Sequence, residues 1–259
     1  MCGRYSITSA PEAIRRLFRY PEQPNFPSRY NVAPTQPVPI VRWLEGGRHF
    51  ALVRWGLIPS WVKDPKTFTL LINARGESVN DKPAFRNAMK RRRCLFPADG
   101  FYEWKGEAGA KRPYHARSTS GEPVAFAGLW ETWTGPNGEE LDTAAIVTTD
   151  ANKTLGAIHH RMPAIIPPEA FDLWLDSDKV DARTAAALIA PAPESAMEVY
   201  EVSTAVNRVA NDSSALIEPV VQELPQVTPQ SPAAASPPAG KAPKRRRDTP
   251  KGTGQDSLF

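Results

Sequence analysis

The sequence is short of cysteine, histidine and long apolar runs. Two cysteines, Cys2 and Cys94, in 259 residues are too few for a disulfide scaffold and suit a reducing compartment. With four histidines, no paired-cysteine motif and no helical His-Glu-x-x-His, the chain has no metal-ligand pattern, so neither a metal nor another cofactor is expected. No apolar run approaches the ~18 residues of a membrane-crossing helix, which excludes a helical membrane protein. The opening stretch MCGRYSITSAPEAIRRLF lacks the basic-then-apolar order of a secretion signal, so a cytoplasmic location is expected. Internal repeats and regular β-α-β alternation are also missing, which speaks against a dinucleotide-binding sheet.

Charge is scarce in another sense. From Pro229 to Phe259 the chain has six basic and two acidic residues, which accounts for the whole net charge of +4; the remaining 228 residues carry 26 of each sign. Any anion site in the body must therefore arise from local clustering rather than from a bulk field.

What is present is one core's worth of apolar material, 41% hydrophobic with 7 Trp and 10 Phe. Composition breaks near Gln226. Residues 227–259 are rich in Pro, Ala, Gly and Ser and cannot bury enough surface to offset their ordering entropy, so a disordered tail is expected after a domain spanning 2–226. In the body, Ser9-Ala-Pro-Glu12 has the form of a capping box before Ile14, Leu17 and Phe18. Further helices are expected from Pro83 through Phe85 and Met89 into Lys90–Arg93, over Pro168–Leu175, and over Asp181–Ile189. Strand-like runs are Val38–Trp43, His49–Trp55, Cys94–Phe96, Phe101–Lys105, Val124–Trp130, Ala144–Thr149, Ala164–Ile166 and Glu198–Val202. Together they predict an α+β, strand-rich single domain with peripheral helices.

Cys2 is the first candidate for chemistry. A small residue after Met permits removal of Met1, leaving an α-amine of pKa near ~7.7–8.0 beside a thiol near ~8.5. Such a 1,2-aminothiol can attack an acyl carbon, as in N-terminal-nucleophile amidohydrolases, or trap an aldehyde as a Schiff base that closes to a thiazolidine. On position alone, Cys2 is also simply the second residue of a processed chain. Five polar and aromatic islands accompany it. They are Tyr30-Asn-Val-Ala-Pro-Thr-Gln36, Trp55-Gly-Leu-Ile-Pro-Ser-Trp61, Ile72-Asn-Ala-Arg-Gly-Glu77, Pro97-Ala-Asp-Gly-Phe-Tyr-Glu-Trp104 and Ile158-His-His-Arg-Met-Pro163, all after the opening Cys2-Gly-Arg-Tyr5.

In content and order this set resembles the SOS-response-associated peptidase (SRAP) family over roughly residues 2 to 220. The resemblance implies a barrel-like β core with peripheral helices, binding of single-stranded DNA, and covalent capture of abasic sites by the N-terminal cysteine. It assigns catalysis to Cys2, Asn73, Glu103 and His159. Asn73 would position the N-terminus, and Glu103 would exchange protons during imine formation. His159 would help open the sugar, with His160 at the variable place of the motif. DNA contacts would fall to Arg4, Asn31, Pro34, Trp61, Arg75, Thr148 and Arg161, the arginines on phosphates and Trp61 with the Asn31–Pro34 turn stacking on bases. Where family members carry a second aromatic after the tryptophan, this chain has Val62.

Blander readings stand beside these: a turn-forming Asn73, a solvent-facing Glu103, a surface His160, a buried apolar Cys94, and Trp55, Trp104, Trp130 and Trp174 in the core. Lys90–Arg93 reads as a solvated helix end or a strand contact. The tail adds a basic block, Lys244–Arg247. Its last five residues, with Gln255, Leu258 and Phe259, resemble the peptide by which bacterial repair proteins bind the sliding clamp. The expected partners are single-stranded DNA containing abasic sites and that clamp, with no membrane. The chain is expected to act as a monomer near the nucleoid. A peptidase using the same cysteine and a noncovalent single-strand-binding adaptor remain the alternative functions.

Overall fold

Val38, Ile40 and Val41 on one side and Val53 and Trp55 on the other begin the architecture as a hairpin. Strand β3 (Pro37–Leu44) folds back onto β4 (Gly47–Trp55), with Leu44 opposite Gly47. The two-residue turn between them, Glu45-Gly46, has positive φ at both positions, 49° and 79°. That is the backbone whose twist matches a right-handed hairpin. The computed structural model describes residues 2–107 and 109–220. The expected tail, with its Gln255, Leu258 and Phe259, lies outside the described residues.

Three more strands close a ring. Next to β3 lies β6 (Arg93–Ala98), then β9 (Val124–Thr134), then β10 (Glu140–Asp150), and β10 pairs in parallel with β4 through Thr143 and Ala144. The result is a five-stranded barrel with β3, β4, β6, β9 and β10 as staves, the expected strand-rich α+β domain with a barrel-like core. Gly128 of β9 is required by this closure: a Cβ there would lie 2.4 Å from the Phe96 ring and 2.9 Å from Cys94 Sγ. Cys94 is fully buried, as an apolar residue in such a place should be.

Beyond the barrel mouth β10 keeps going, and both its edges are taken up again. On the side β4 has left, β5 (Asn73–Arg75) pairs in parallel with Ile146–Thr148; on the other, β11 (Arg161–Pro163) pairs antiparallel with Thr148–Asp150. A second, antiparallel sheet runs β13 (Met197–Glu201), β8 (Arg112–Ser118), β7 (Gly100–Lys105), β1 (Tyr5–Ile7) and β2 (Arg29–Val32). Tyr5 joins the two systems, its ring meeting Trp55 at 5.4 Å and Phe126 at 6.2 Å, both edge-on. A short strand, β12 (Ile165–Ile166), completes the edge of β9.

The helices are peripheral and shorter than expected. Helix α1 (Pro11–Phe18) starts with Pro at its first position and stops at Arg19, whose φ of 57° is left-handed. The capping box does not form, because Ser9 gives its hydroxyl and backbone N–H to Asp99, which also takes the Thr8 N–H. Helix α1 buries Ile14 and Phe18, the latter stacked on Phe171 at 5.0 Å. The other helices among the described residues are α2 (Arg86–Arg91), α3 (Lys153–Gly156), α4 (Phe171–Leu175), preceded by a 3-10 turn at Pro168–Ala170, and α5 (Ala182–Ala186), capped by Asp181.

Arg93 corrects the expectation for the basic run. It is 1% exposed at the head of β6, and its guanidinium donates to the carbonyls of Met89, Trp174, Asp176 and Val180. It ties α2 to the segment after α4 and is neither a solvated helix end nor a strand contact. Among the described residues no helix is long and apolar enough to cross a membrane.

Candidate functional site

Strand pairing alone brings distant parts of the chain to one place. In the second sheet Tyr5 lies opposite Phe101 and the Tyr102 N–H donates to Arg4 O at 2.9 Å, so the next residue of β7, Glu103, comes level with the start of the chain. From the barrel side, β5 delivers Asn73, whose Nδ2 donates to the Cys2 carbonyl at 2.9 Å. The loop entering β11 brings His159, with Nδ1 3.9 Å from Glu103 Oε1. Cys2, Asn73, Glu103 and His159 thus converge although they are spread over the first 159 residues.

Burial sets their chemistry. Cys2 is fully buried, and that burial pushes its thiol well above the ordinary range, helped by the negative charge of Glu103. Glu103 is 4% exposed, and desolvation raises its carboxyl. It is therefore not the solvent-facing strand carboxylate of the blander reading. His159 is half-buried and its pKa is lowered, chiefly by desolvation. In the neutral ring Nδ1 accepts the Arg161 N–H at 3.0 Å, which leaves the proton on Nε2; once protonated, Nδ1 can donate to the Arg161 carbonyl at 3.3 Å. His160 is exposed and stacks on His159 at 4.4 Å.

The expected DNA contacts divide into two groups. Trp61 is 58% exposed, braced edge-on by Phe68 at 5.6 Å, and Arg75 is exposed on β5. Pro34 is half-buried at the turn after β2. These can meet a strand directly. Asn31 lies in β2 rather than in the turn and is 2% exposed. Its Nδ2 holds the carbonyls of Val206, Arg208 and Asn211 while its Oδ1 accepts from Arg4 at 2.6 Å. Thr148 is fully buried, and its carbonyl accepts from Arg161 at 2.7 Å. Neither offers a free polar atom to solvent in this arrangement. Arg4 is half-buried, donating to Asn31 and to the Val206 carbonyl at 2.9 Å and lying over the Trp104 ring. Arg161 is engaged by Glu77 and Asp150.

Of the tryptophans expected in the core, Trp55, Trp130 and Trp174 are buried. Trp104 is only half-buried and donates to Asn207 at 2.8 Å. Val62, at the place of a second aromatic, turns inward with Ile58 and Trp133, and its carbonyl takes the Trp133 indole N–H at 2.6 Å. Sequence reasoning overlooked Glu77 and Asp150 beside Arg161. Glu77 stood in plain view within the Asn73 island, and its pairing needs a contact 84 residues away. Among the described residues no cluster of His, Cys, Asp or Glu could hold a metal.

The fold has solved counterparts. A crystal structure of a protein from Bacteroides thetaiotaomicron superposes with a TM-score of 0.73 at 26% identity, covering 85% of this chain and 100% of that one. Abasic site processing protein YoqW of Bacillus subtilis is 40% identical over 223 residues, 84% of this chain and 99% of the relative. Abasic site processing protein YedK of Escherichia coli is 31% identical, covering 85% and 100%. Abasic site processing protein HMCES of Xenopus tropicalis is 31% identical, covering 82% and 76%. The profile of the SOS response associated peptidase (SRAP) family matches residues 1–209, and with relatives at this level across nearly the whole described fold, the chain belongs to that family.

Proposed function

We propose that this chain processes abasic sites in single-stranded DNA by covalent capture, with Cys2 made N-terminal by removal of Met1. The names of its relatives and the convergence of Asn73, Glu103 and His159 on the first residues support this reading. The carrying observation is the Asn73 amide on the Cys2 carbonyl, which fixes the backbone that would bear the nucleophilic amine.

The order of steps follows from the electrostatics. With the thiol held protonated by burial, the amine acts first. Its nitrogen bonds to the aldehyde carbon of the ring-opened sugar, and after proton transfer the aldehyde oxygen leaves as water, giving an imine. Sγ then bonds to the same carbon while the thiol proton passes to nitrogen, closing a thiazolidine. Glu103, raised toward neutrality, takes and returns protons at nitrogen, and His159 assists sugar opening. Trp61 and Pro34 stack on flanking bases, and Arg75 meets phosphate. A peptidase that relies on the Cys2 thiolate is disfavoured by the same raised thiol. For the tail, sliding-clamp binding through Gln255, Leu258 and Phe259 remains a proposal, tested by saturable binding of a 252–259 peptide.

The decisive experiment is intact mass and a denaturing gel after mixing with an abasic-site single strand. The expected product is a heat-stable adduct equal to both components less one water. Cys2→Ser should leave only a species that borohydride must trap. Unchanged crosslinking by Cys2→Ala overturns the reading.

A further inference from the structure

Arg161 carries a cation that is covered rather than buried. Its side chain is 7% exposed, yet the groups over it are two carboxylates standing largely in water, Glu77 at 53% and Asp150 at 78%. Nη1 donates to both Glu77 and Asp150, Nη2 to Glu77 at 3.0 Å and to the Thr148 carbonyl at 2.7 Å; Nε is buried without an acceptor among the described residues. One guanidinium thus faces two carboxylates, which together outweigh its own charge, with Arg75 standing two residues before Glu77. Only the Thr148 carbonyl is an interior anchor.

The placement gives this cover a consequence. Thr148 stands opposite Arg75 on one side of β10, and Asp150 stands opposite Arg161 on the other. Arg75 is exposed and only two residues before Glu77. The two arginines therefore flank the same end of β10, one open and one closed by acids. Both carboxylates stand in water, so they can swing off Arg161 without being buried elsewhere, while the Thr148 carbonyl keeps its hold on the guanidinium. A phosphate offers the same two-oxygen fork that Glu77 now presents.

We propose that Glu77 and Asp150 act as an electrostatic gate that competes with the nucleic-acid backbone for Arg161, so that a strand phosphate must displace them to engage it. The gate weakens binding to any single strand, and it makes retention depend on contacts elsewhere in the site. This rests on the DNA-binding part of the proposed function but not on its covalent step.

The test uses the full chain and an undamaged single-stranded oligonucleotide, with binding followed by fluorescence anisotropy across a salt series. Asp150→Asn and Glu77→Gln are each expected to tighten binding three- to tenfold. Their plot of log affinity against log salt should steepen by up to about 0.7, the increment for one more phosphate on a single strand. Asp150 is mostly solvent-exposed, so its variant keeps the test sound if Glu77→Gln misfolds. Unchanged or weaker binding by a folded Asp150→Asn protein, or no binding by either protein, overturns the gate. Failure of the wild type to crosslink an abasic strand counts against the proposed function and leaves this measurement standing.

Discussion

The carboxamide nitrogen of Asn73 donates to the carbonyl oxygen of Cys2 at 2.9 Å, while its own oxygen is buried without an acceptor's usual partner among the described residues. The donor end is therefore fixed, and the oxygen is left able to receive a proton donor beside the chain's beginning. Asn73→Ala should slow capture of an abasic strand about tenfold, near 1.4 kcal/mol of barrier. Asn73→Asp should slow it further, because an acceptor would then face the Cys2 carbonyl. Single-turnover rates decide; a rate equal to wild type in the Asp variant sinks the positioning role.

His159 carries a pKa below its ordinary value, lowered first by desolvation, so at pH 7 the ring is mainly neutral. If it supplies a proton to open the sugar, the capture rate, corrected for ionisation of the amine, should rise as pH falls from neutrality toward the lowered His159 pKa. That acid limb should vanish in His159→Gln and persist in His160→Gln, since His160 is the exposed partner of the stacked pair. The same limb in both variants removes His159 from the chemistry.

A second histidine governs stability instead. His115 is buried in the five-stranded sheet, 3.0 Å from Ser6 Oγ and 3.2 Å from Tyr200 Oη, and burial pushes it down to about 3, with the Arg117 charge adding to the effect. Tyr200 donates onward to the Ile217 carbonyl, which makes its oxygen the acceptor for His115 Nδ1–H, while Ser6, which also faces the Gly100 carbonyl, lies against Nε2. The folded pKa lies below the unfolded value of about 6.5, so the unfolded chain binds the extra proton first. Stability should fall as pH drops through the window from about 6.5 to about 3, by roughly 2 kcal/mol between pH 6.5 and 5. Urea unfolding at the two pH values measures it, and His115→Gln should flatten the slope whatever it does to stability at pH 7.

The barrel makes its own prediction. A Cβ at Gly128 would meet the buried Phe96 ring at 2.4 Å, with Cys94 Sγ next at 2.9 Å. Neither neighbour is a surface side chain that can swing away. Gly128→Ala should destabilise the fold by about 1–3 kcal/mol through overpacking, read as a lower urea midpoint.

Which features were readable from the sequence follows from how locally each is determined. The long staves β3, β4, β9 and β10 announce themselves through β-branched and aromatic runs, and the islands around Cys2, Asn73, Glu103 and His159 stand out by composition. The three-residue strands β1, β5 and β11 do not: they are too short for a period and exist because β7 and β10 offer them an edge. Those are the pieces that assemble the site. Likewise, Asn31 reads as a turn residue until the chain after Val206 supplies three carbonyls for its amide. Arg93 reads as surface until three distant carbonyls, with that of Met89 nearby, surround it. A polar residue's role depends on partners that sequence proximity does not reveal.

Trp61 and Trp133 allow a paired test of the stacking role. Trp61 touches Phe68, which packs against the small cluster holding Trp133, yet Trp61 is 58% exposed while Trp133 is 6% exposed and gives its N–H to the Val62 carbonyl. An exposed indole braced only by the Phe68 edge has a free face for a base, and loss of such stacking costs about 1–3 kcal/mol per base. Trp61→Ala should therefore weaken binding to a single strand roughly five- to a hundredfold with little change in the urea midpoint. Trp133→Phe should do the reverse, lowering stability through the lost hydrogen bond and the smaller ring while the folded fraction binds normally. If Trp61→Ala binds as wild type does, the strand does not pass over this loop.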